Sequence, residues 1–257
     1  MHEKLASLEK LLNIMDELRE KCPWDREQTF ESLRNLTIEE TYELADAILM
    51  KENNNIKKEL GDLLLHIVFY SKIGAETGAF DIKDVAESIA EKLIFRHPHV
   101  FGDTDVRNSP EQVKKNWEEL KIKEGNSSVL GGVPSSLPAM IKANRIQEKA
   151  KAVGFDWDER SQVWDKVSEE LRELRNEIEA MDKEKTEQEF GDLLFSVINA
   201  SRLYDIDPET ALEKTNIKFI QRFNYLESKT LKEGKKLSNM SLDEMNAIWE
   251  DAKKLEH

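Results

Sequence analysis

Cysteine is almost missing from this chain. Cys22 stands alone among 257 residues, which excludes an intrachain disulfide framework and fits a reducing compartment. Glycine and proline are scarce too, at ten and six, too few for an architecture of strands and tight turns. No segment sustains the alternation of a strand, and no apolar run approaches the roughly 18 residues that cross a bilayer. The opening Met1-His2-Glu3-Lys4 lacks the basic-then-apolar pattern of a secretory signal. A soluble, cytoplasmic protein is the expectation. Positive charge is also in deficit: 38 Lys and Arg face 52 Asp and Glu, a formal net charge of −14. That argues against a nucleic-acid polymer or an anionic membrane as partner. It leaves room for a small phosphorylated ligand, because a bound metal and local basic residues reverse the field at a site.

What is abundant is amphipathic helix. Hydrophobic residues make up 39% and charged residues 35%, the balance of helices with charged outer faces. Leu5, Leu8, Leu11, Leu12, Met15 and Leu18 recur with a helical period, and Cys22-Pro23-Trp24-Asp25 interrupts it. A second helix is expected over residues 28–50, a turn at Asn53-Asn54-Asn55, and a third helix over 56–74 with 63–70 as core. Gly78 closes that segment, and Asp81 caps a helix that stops at His97-Pro98. Residues 97–109 read as loop, after which Pro110 opens a helix leading to Trp117. Gly, Ser and Pro then cluster over 124–138, the composition of a linker.

The acidic residues carry the strongest pattern. Glu169-Glu170-Leu171-Arg172-Glu173 is followed by Glu189-Phe190-Gly191-Asp192. In a helix, residues three apart share a face, so Glu170 pairs with Glu173 and Glu189 with Asp192. A turn at Met181-Asp182-Lys183 would bring the pairs face to face. Four carboxylates in one cleft repel unless a cation sits among them, and all-oxygen ligands favour Mg²⁺ first and Mn²⁺ second. One such pair in so acidic a chain would be a solvated helix face. The pattern occurs twice, however: Glu39-Glu40-Thr41-Tyr42-Glu43 precedes Glu59-Leu60-Gly61-Asp62, and Gly61-Asp62-Leu63-Leu64 matches Gly191-Asp192-Leu193-Leu194. The chain is therefore expected to be all-α, with two tandem four-helix-type repeats related by internal duplication. The domains fall at 1–123 and 139–257, joined by the linker 124–138.

Each half adds a basic pair, Lys92 with Arg96 and Lys218 with Arg222. Four residues apart on a helix, such cations suit neighbouring phosphates. Each half also ends with a Trp in a polar helix, Trp117 and Trp249, suited either to stacking a base or to sealing a small core. Glu39 and Glu169 stand beside the metal-type pairs, placed either to polarise a water or to solubilise the face. His66, one turn beyond Asp62, matches Ser196 and reads as a core or rim histidine. That mismatch weighs against a di-iron site, which needs Glu-x-x-His on two helices. His97 and His99 have no counterpart and read as structural, and nothing near Cys22 suggests an activated nucleophile.

Taken together, Glu-Glu-x-x-Glu, Glu-x-Gly-Asp-Leu-Leu, Lys-x-x-x-Arg and a late Trp, all repeated, resemble the MazG family of nucleoside triphosphate pyrophosphohydrolases. Cys22-Pro23-Trp24-Asp25, Arg96-His97-Pro98-His99-Val100-Phe101 and Gly154-Phe155-Asp156-Trp157 extend the likeness over essentially the full length. The resemblance implies an all-α enzyme, related to dimeric dUTPases and phosphoribosyl-ATP pyrophosphohydrolases, that uses Mg²⁺ to cleave nucleoside triphosphates between the α- and β-phosphates. The products would be a nucleoside monophosphate and pyrophosphate, and the assembly a homodimer or larger. By motif, the metal ligands fall on Glu170, Glu173, Glu189 and Asp192, and the triphosphate contacts on Lys166, Lys185, Lys218 and Arg222, with Trp249 at the base. The first half supplies Glu40, Glu43, Glu59, Asp62, Lys92, Arg96 and Trp117. It departs at Leu36, which replaces Lys166, and at Asn55, which replaces Lys185 although Lys58 is close by. Fewer cations make it the weaker catalytic candidate and the C-terminal half the main one. A broad nucleotide range is expected. A narrow dUTPase-like or phosphoribosyl-ATP activity, or a non-catalytic metal- or nucleotide-binding module, is the alternative.

Overall fold

The computed structural model describes residues 2–102, 128–232, 234 and 236–255, with positions 109, 113, 116, 117 and 120 between them. Every regular element among these residues is a helix. The chain forms two compact units, residues 1–113 and 114–257. The expected boundary at 123 and the start of the expected linker lie outside the described residues, as does Pro110.

In the first unit, α1 (His2–Lys21), α2 (Pro23–Glu27), α3 (Phe30–Leu49), α4 (Asn53–Glu76), α5 (Ile82–Arg96) and α6 (Pro98–Phe101) follow in order. Helix α4 is the spine, packed against α1, α3 and α5. Met15, Leu33, Val68, Phe69 and Ile73 form its buried core, with Leu11, Leu12, Leu65 and Tyr70 packed around them. Each large apolar side chain withdrawn from water here contributes about 1.5–3 kcal/mol. The expected core run 63–70 is buried on one side only, since Ile67 is 46% exposed. A 3.6-residue period turns every fourth side chain outward even where all are apolar. Thr29 and Asp81 cap α3 and α5 with reciprocal hydrogen bonds to Ser32 and Asp84, which satisfies amides that the helices leave open.

Two expected breaks are helical instead. Asn53, Asn54 and Asn55 form the first turn of α4, not the loop before it. Residues 98–101, expected as loop, form α6 with Pro98 in its first turn, where proline's missing N–H costs nothing. Pro23 opens α2 in the same way. The Trp-Asp dipeptide that occurs in both halves differs in conformation: Trp24-Asp25 is helical, whereas Trp157-Asp158 lies in an irregular segment.

The second unit repeats the order with α7 (Ala139–Ala152), α8 (Gln162–Glu179), α9 (Lys183–Leu203) and α10 (Pro208–Lys232), and adds a 3₁₀ turn (Leu237–Asn239) and α11 (Leu242–Lys254). Helix α9 pairs with α8 and also packs on α7 and α10, while α11 packs on α10. Val163, Ala200 and Leu203 form the buried cluster between α8 and α9, with Val167 packed on it. Gln147 ties α7 to α9 by donating 2.9 Å to the Phe195 carbonyl.

Both long hairpins reverse through the same unusual backbone. Lys51 follows α3 at φ +58° and Met181 follows α8 at φ +57°, a left-handed conformation uncommon for non-glycine residues. In each turn this residue's amide bonds back three residues, Lys51 to Ile48 at 3.1 Å and Met181 to Ile178 at 3.2 Å. The next amide reaches back five, Glu52 to Ala47 at 3.1 Å and Asp182 to Glu177 at 3.3 Å. This pattern consumes the last carbonyls of the helix. The two turns occupy matching places in the repeat, so the duplication extends to the backbone.

Candidate active site

The hairpin turns determine which carboxylates meet. With α8 and α9 antiparallel, Glu170 and Glu173 face Glu189, and one carboxylate oxygen from each lies within 4.8 Å of the others. The first unit does the same with Glu40, Glu43 and Glu59. The fourth expected acids, Asp62 and Asp192, stand one turn further along the second helix of each hairpin. Their charges reach Glu40 and Glu189 respectively.

Crowding leaves an electrostatic mark. Desolvation, followed by the charges of Glu173, Glu170, Asp192 and Glu177, raises the Glu189 carboxyl above its ordinary value. Desolvation, followed by Asp62, Glu43 and Glu59, raises Glu40, with Lys58 opposing. Glu59 is 6% exposed and Glu170 5%, and a buried carboxylate needs a partner. Yet Glu59 Oε2 and Glu189 Oε2 are both buried without a hydrogen-bond partner. These two orphan oxygens belong to equivalent residues of the repeat. The residues present thus fit a small hard dication, which takes carboxylate oxygens and needs no histidine or thiolate.

The basic residues divide into two groups. Lys166 Nζ lies 2.7 Å from Glu170 and 3.3 Å from Glu169, and hydrogen bonding to Glu170 raises its pKa. Glu169 thus shares the Lys166 ammonium with Glu170. Glu39, its equivalent, is exposed. Lys185 sits at the hairpin's closed end, 3.6 Å from Asp182 and 3.9 Å from Glu177. Glu177 was not marked by sequence reasoning, although it stands one turn beyond Glu173 and its charge reaches Glu189. Its first-unit equivalent is Ala47, so Glu177 and Lys185 are replaced together, by Ala47 and Asn55.

The second group lies on α10 and α11. The Arg222 guanidinium lies 5.7 Å from the Trp249 ring centre, and Phe219 meets that ring at 5.0 Å. Trp249 is half-buried and Lys218 exposed. In the first unit, Lys92 is exposed and Arg96 half-buried at the end of α5. Trp117 is helical and half-buried, and falls past the end of that unit.

His66 behaves as a core residue. It is 7% exposed, and its Nδ1 lies 2.6 Å from Thr37 Oγ1, which also lies 2.7 Å from the Tyr70 hydroxyl. Burial lowers its pKa, with Asp62 opposing. His97 likewise serves structure, its Nδ1 lying 2.7 Å from the Leu93 carbonyl.

Comparison with known proteins finds the same two segments. The pattern of the MazG nucleotide pyrophosphohydrolase domain matches residues 28–101 and 159–226. Each match spans one acidic hairpin and its basic pair, leaving Trp117 and Trp249 outside. The chain is 46% identical to the nucleoside triphosphate pyrophosphohydrolase/pyrophosphatase MazG of Thermotoga maritima, over 98% of both proteins. It is 41% identical to the nucleoside triphosphate pyrophosphohydrolase of Escherichia coli K12, over 98% of this chain and 99% of that protein. An uncharacterised Bacillus subtilis protein, YabN, is 45% identical over 95% of this chain and 51% of its own length. With the motif present in both halves and full-length relatives at 41% and 46% identity, the chain belongs to the MazG nucleotide pyrophosphohydrolase family.

Proposed function

We propose that this chain hydrolyses nucleoside triphosphates at the α–β phosphate bond, with Mg²⁺ or in its place Mn²⁺, to a nucleoside monophosphate and pyrophosphate. Family membership supports the pyrophosphohydrolase activity. The observation that carries the metal site is the pair of orphan carboxylate oxygens on Glu59 and Glu189.

Glu170, Glu173, Glu189 and Asp192 would hold the metal in the second unit, and Glu40, Glu43, Glu59 and Asp62 in the first. When bound there, Mg²⁺ would supply charge neutralisation at the phosphate oxygens and make a water easier to deprotonate. Glu169 orients the attacking water and accepts its proton while the bond from the α-phosphorus to the bridging oxygen breaks. Lys166 and Lys185 flank the polyphosphate, and Lys218 and Arg222 neutralise the departing pyrophosphate. In the first unit, Lys92 and Arg96 take that last role. Trp249 and Trp117 offer flat surfaces that do not select among bases, which supports a broad nucleotide range. Phosphoryl displacement needs this positioning and neutralisation and no covalent residue.

The domains are read as 1–123 and 139–257, the second being the main catalytic unit. Apolar side chains left exposed on α9, including Phe190, Leu194 and Val197, support a homodimer or larger assembly. Among the described residues no helix is long and apolar enough to cross a membrane, and a cytoplasmic location is part of the same proposal. Pyrophosphate release from a panel of nucleoside triphosphates tests the whole reading, with Asp62→Ala and Asp192→Ala beside the unaltered protein. Loss with Asp192→Ala supports catalysis in the second unit. Absence of pyrophosphate from every nucleotide, with the protein folded and metal bound, overturns it in favour of a binding module.

A further inference from the structure

The two acidic hairpins share one spacing, but each neutralises itself from a different wall. In the second unit the lysine stands on α8: Lys166 Nζ is 2.7 Å from the buried Glu170. The equivalent first-unit position is Leu36, which brings no charge. There the ammonium comes from α4 instead, with Lys58 Nζ 3.0 Å from the buried Glu59 and 3.9 Å from Asp62. The second-unit position matching Lys58 is Gln188. In each hairpin the carboxylate most withdrawn from water thus meets a lysine from a position where the other hairpin has none.

We propose that Lys58 is the phosphate-binding lysine of the first unit, so that its hairpin binds the polyphosphate of a metal–nucleoside triphosphate complex rather than being a depleted copy of the second. The inference rests on the acids being metal ligands. An ammonium beside Glu59 and Asp62 occupies the charge-neutralising role that a dication takes over on binding. The dication satisfies the carboxylates, including the orphan Oε2 of Glu59, and weakens their hold on the lysine. Lys58 has the freedom to respond, because its side chain is 65% exposed on a flexible four-carbon stem. It turns outward to the phosphate oxygens that arrive with the metal. Metal and nucleotide then bind cooperatively, through a residue on the wall opposite to that used by the second unit.

The test uses the full chain with the second hairpin silenced by Glu173→Gln and Asp192→Asn. Mn²⁺ binding is followed by electron paramagnetic resonance, and binding of an α,β-methylene nucleoside triphosphate by calorimetry, with Lys58 intact and in Lys58→Met. The expected result is undiminished Mn²⁺ affinity and about tenfold weaker nucleotide binding in the presence of Mn²⁺. Lys58→Arg restores most of the loss, and tripolyphosphate shows the same dependence because the contact is to phosphate. Unchanged nucleotide affinity in Lys58→Met overturns the inference. So does a parallel loss of Mn²⁺ affinity, which would mean that Lys58 only shapes the carboxylates. Pyrophosphate release by the protein with both hairpins intact reports separately on the enzyme reading. Release without a Lys58 effect overturns this inference alone, and absence of both release and Mn²⁺ binding overturns the two together.

Discussion

Arg202 grips Asp156 through both arms of its guanidinium, Nη1 donating at 3.2 Å and Nη2 to the other carboxylate oxygen. The contact fastens the segment after α7 to the C-terminal part of α9, and only 8% of the Arg202 side chain and 17% of the Asp156 side chain reach solvent. Burial pushes the Asp156 carboxyl upward, but Arg202, the Trp157 amide and Lys151 outweigh it and hold the pKa below the usual 3.8. A depressed carboxylate contributes stability that is complete above its unfolded pKa and lost as pH falls through the folded value. Asp156→Asn should therefore cost about 2 kcal/mol at neutral pH. Denaturant titrations should show the gap to the unaltered protein holding down to about pH 4 and closing below it.

Metal should stabilise the fold, because the carboxylates repel one another without it. At a free Mg²⁺ concentration ten times its Kd, the second unit should gain about 1.4 kcal/mol, reversed by a chelator. Glu189→Gln removes one charge from the crowd, so the metal-free protein should melt higher while its response to Mg²⁺ shrinks. Thermal melts with and without metal check both effects, and a lower metal-free midpoint would count against repulsion at Glu189.

Gly74 is held by close approach. A Cβ there would lie 2.7 Å from the Phe80 carbonyl oxygen and 2.9 Å from its ring. Gly74→Ala should destabilise the first unit by about 1–3 kcal/mol through overpacking. Gly61→Ala is its control, since a Cβ there meets nothing within 4 Å. Comparing their urea midpoints isolates the steric contribution.

Met181 makes the opposite case. Its side chain is 90% exposed and its backbone is left-handed, so it gives up conformational energy with little contact in return. Met181→Gly should raise stability by about 0.5–1 kcal/mol, readable as a higher urea midpoint.

The acidic hairpins were legible because they rest on spacing, which a helix converts directly into a shared face. The capping role of Asp81 was legible for a similar local reason. The start of α4 was not: Asn53, Asn54 and Asn55 have the local chemistry of a turn, and packing along the rest of α4 overrides it. The repeat held the signal, since the turn at Met181 maps onto Lys51 and not onto the asparagines. Glu177 was not legible because the repeat marks only what both halves share, and its equivalent is Ala47. For Lys58 only its nearness to the altered Asn55 was legible, because its charge meets Glu59 and Asp62 from α4 itself, a placement that comparison with Gln188 of the other half does not reveal.

The left-handed turns at Lys51 and Met181 also restrict how the gene can change. Each residue added to or removed from a helix rotates everything beyond it by about 100°. One codon gained between Glu43 and Glu59, or between Glu173 and Glu189, would swing the second carboxylate pair away from the first. Substitutions there are tolerable, as the dissimilar Lys51-Glu52-Asn53 and Met181-Asp182-Lys183 demonstrate within one polypeptide. Length is not, and variation in length among descendants of this chain should concentrate outside the two hairpins.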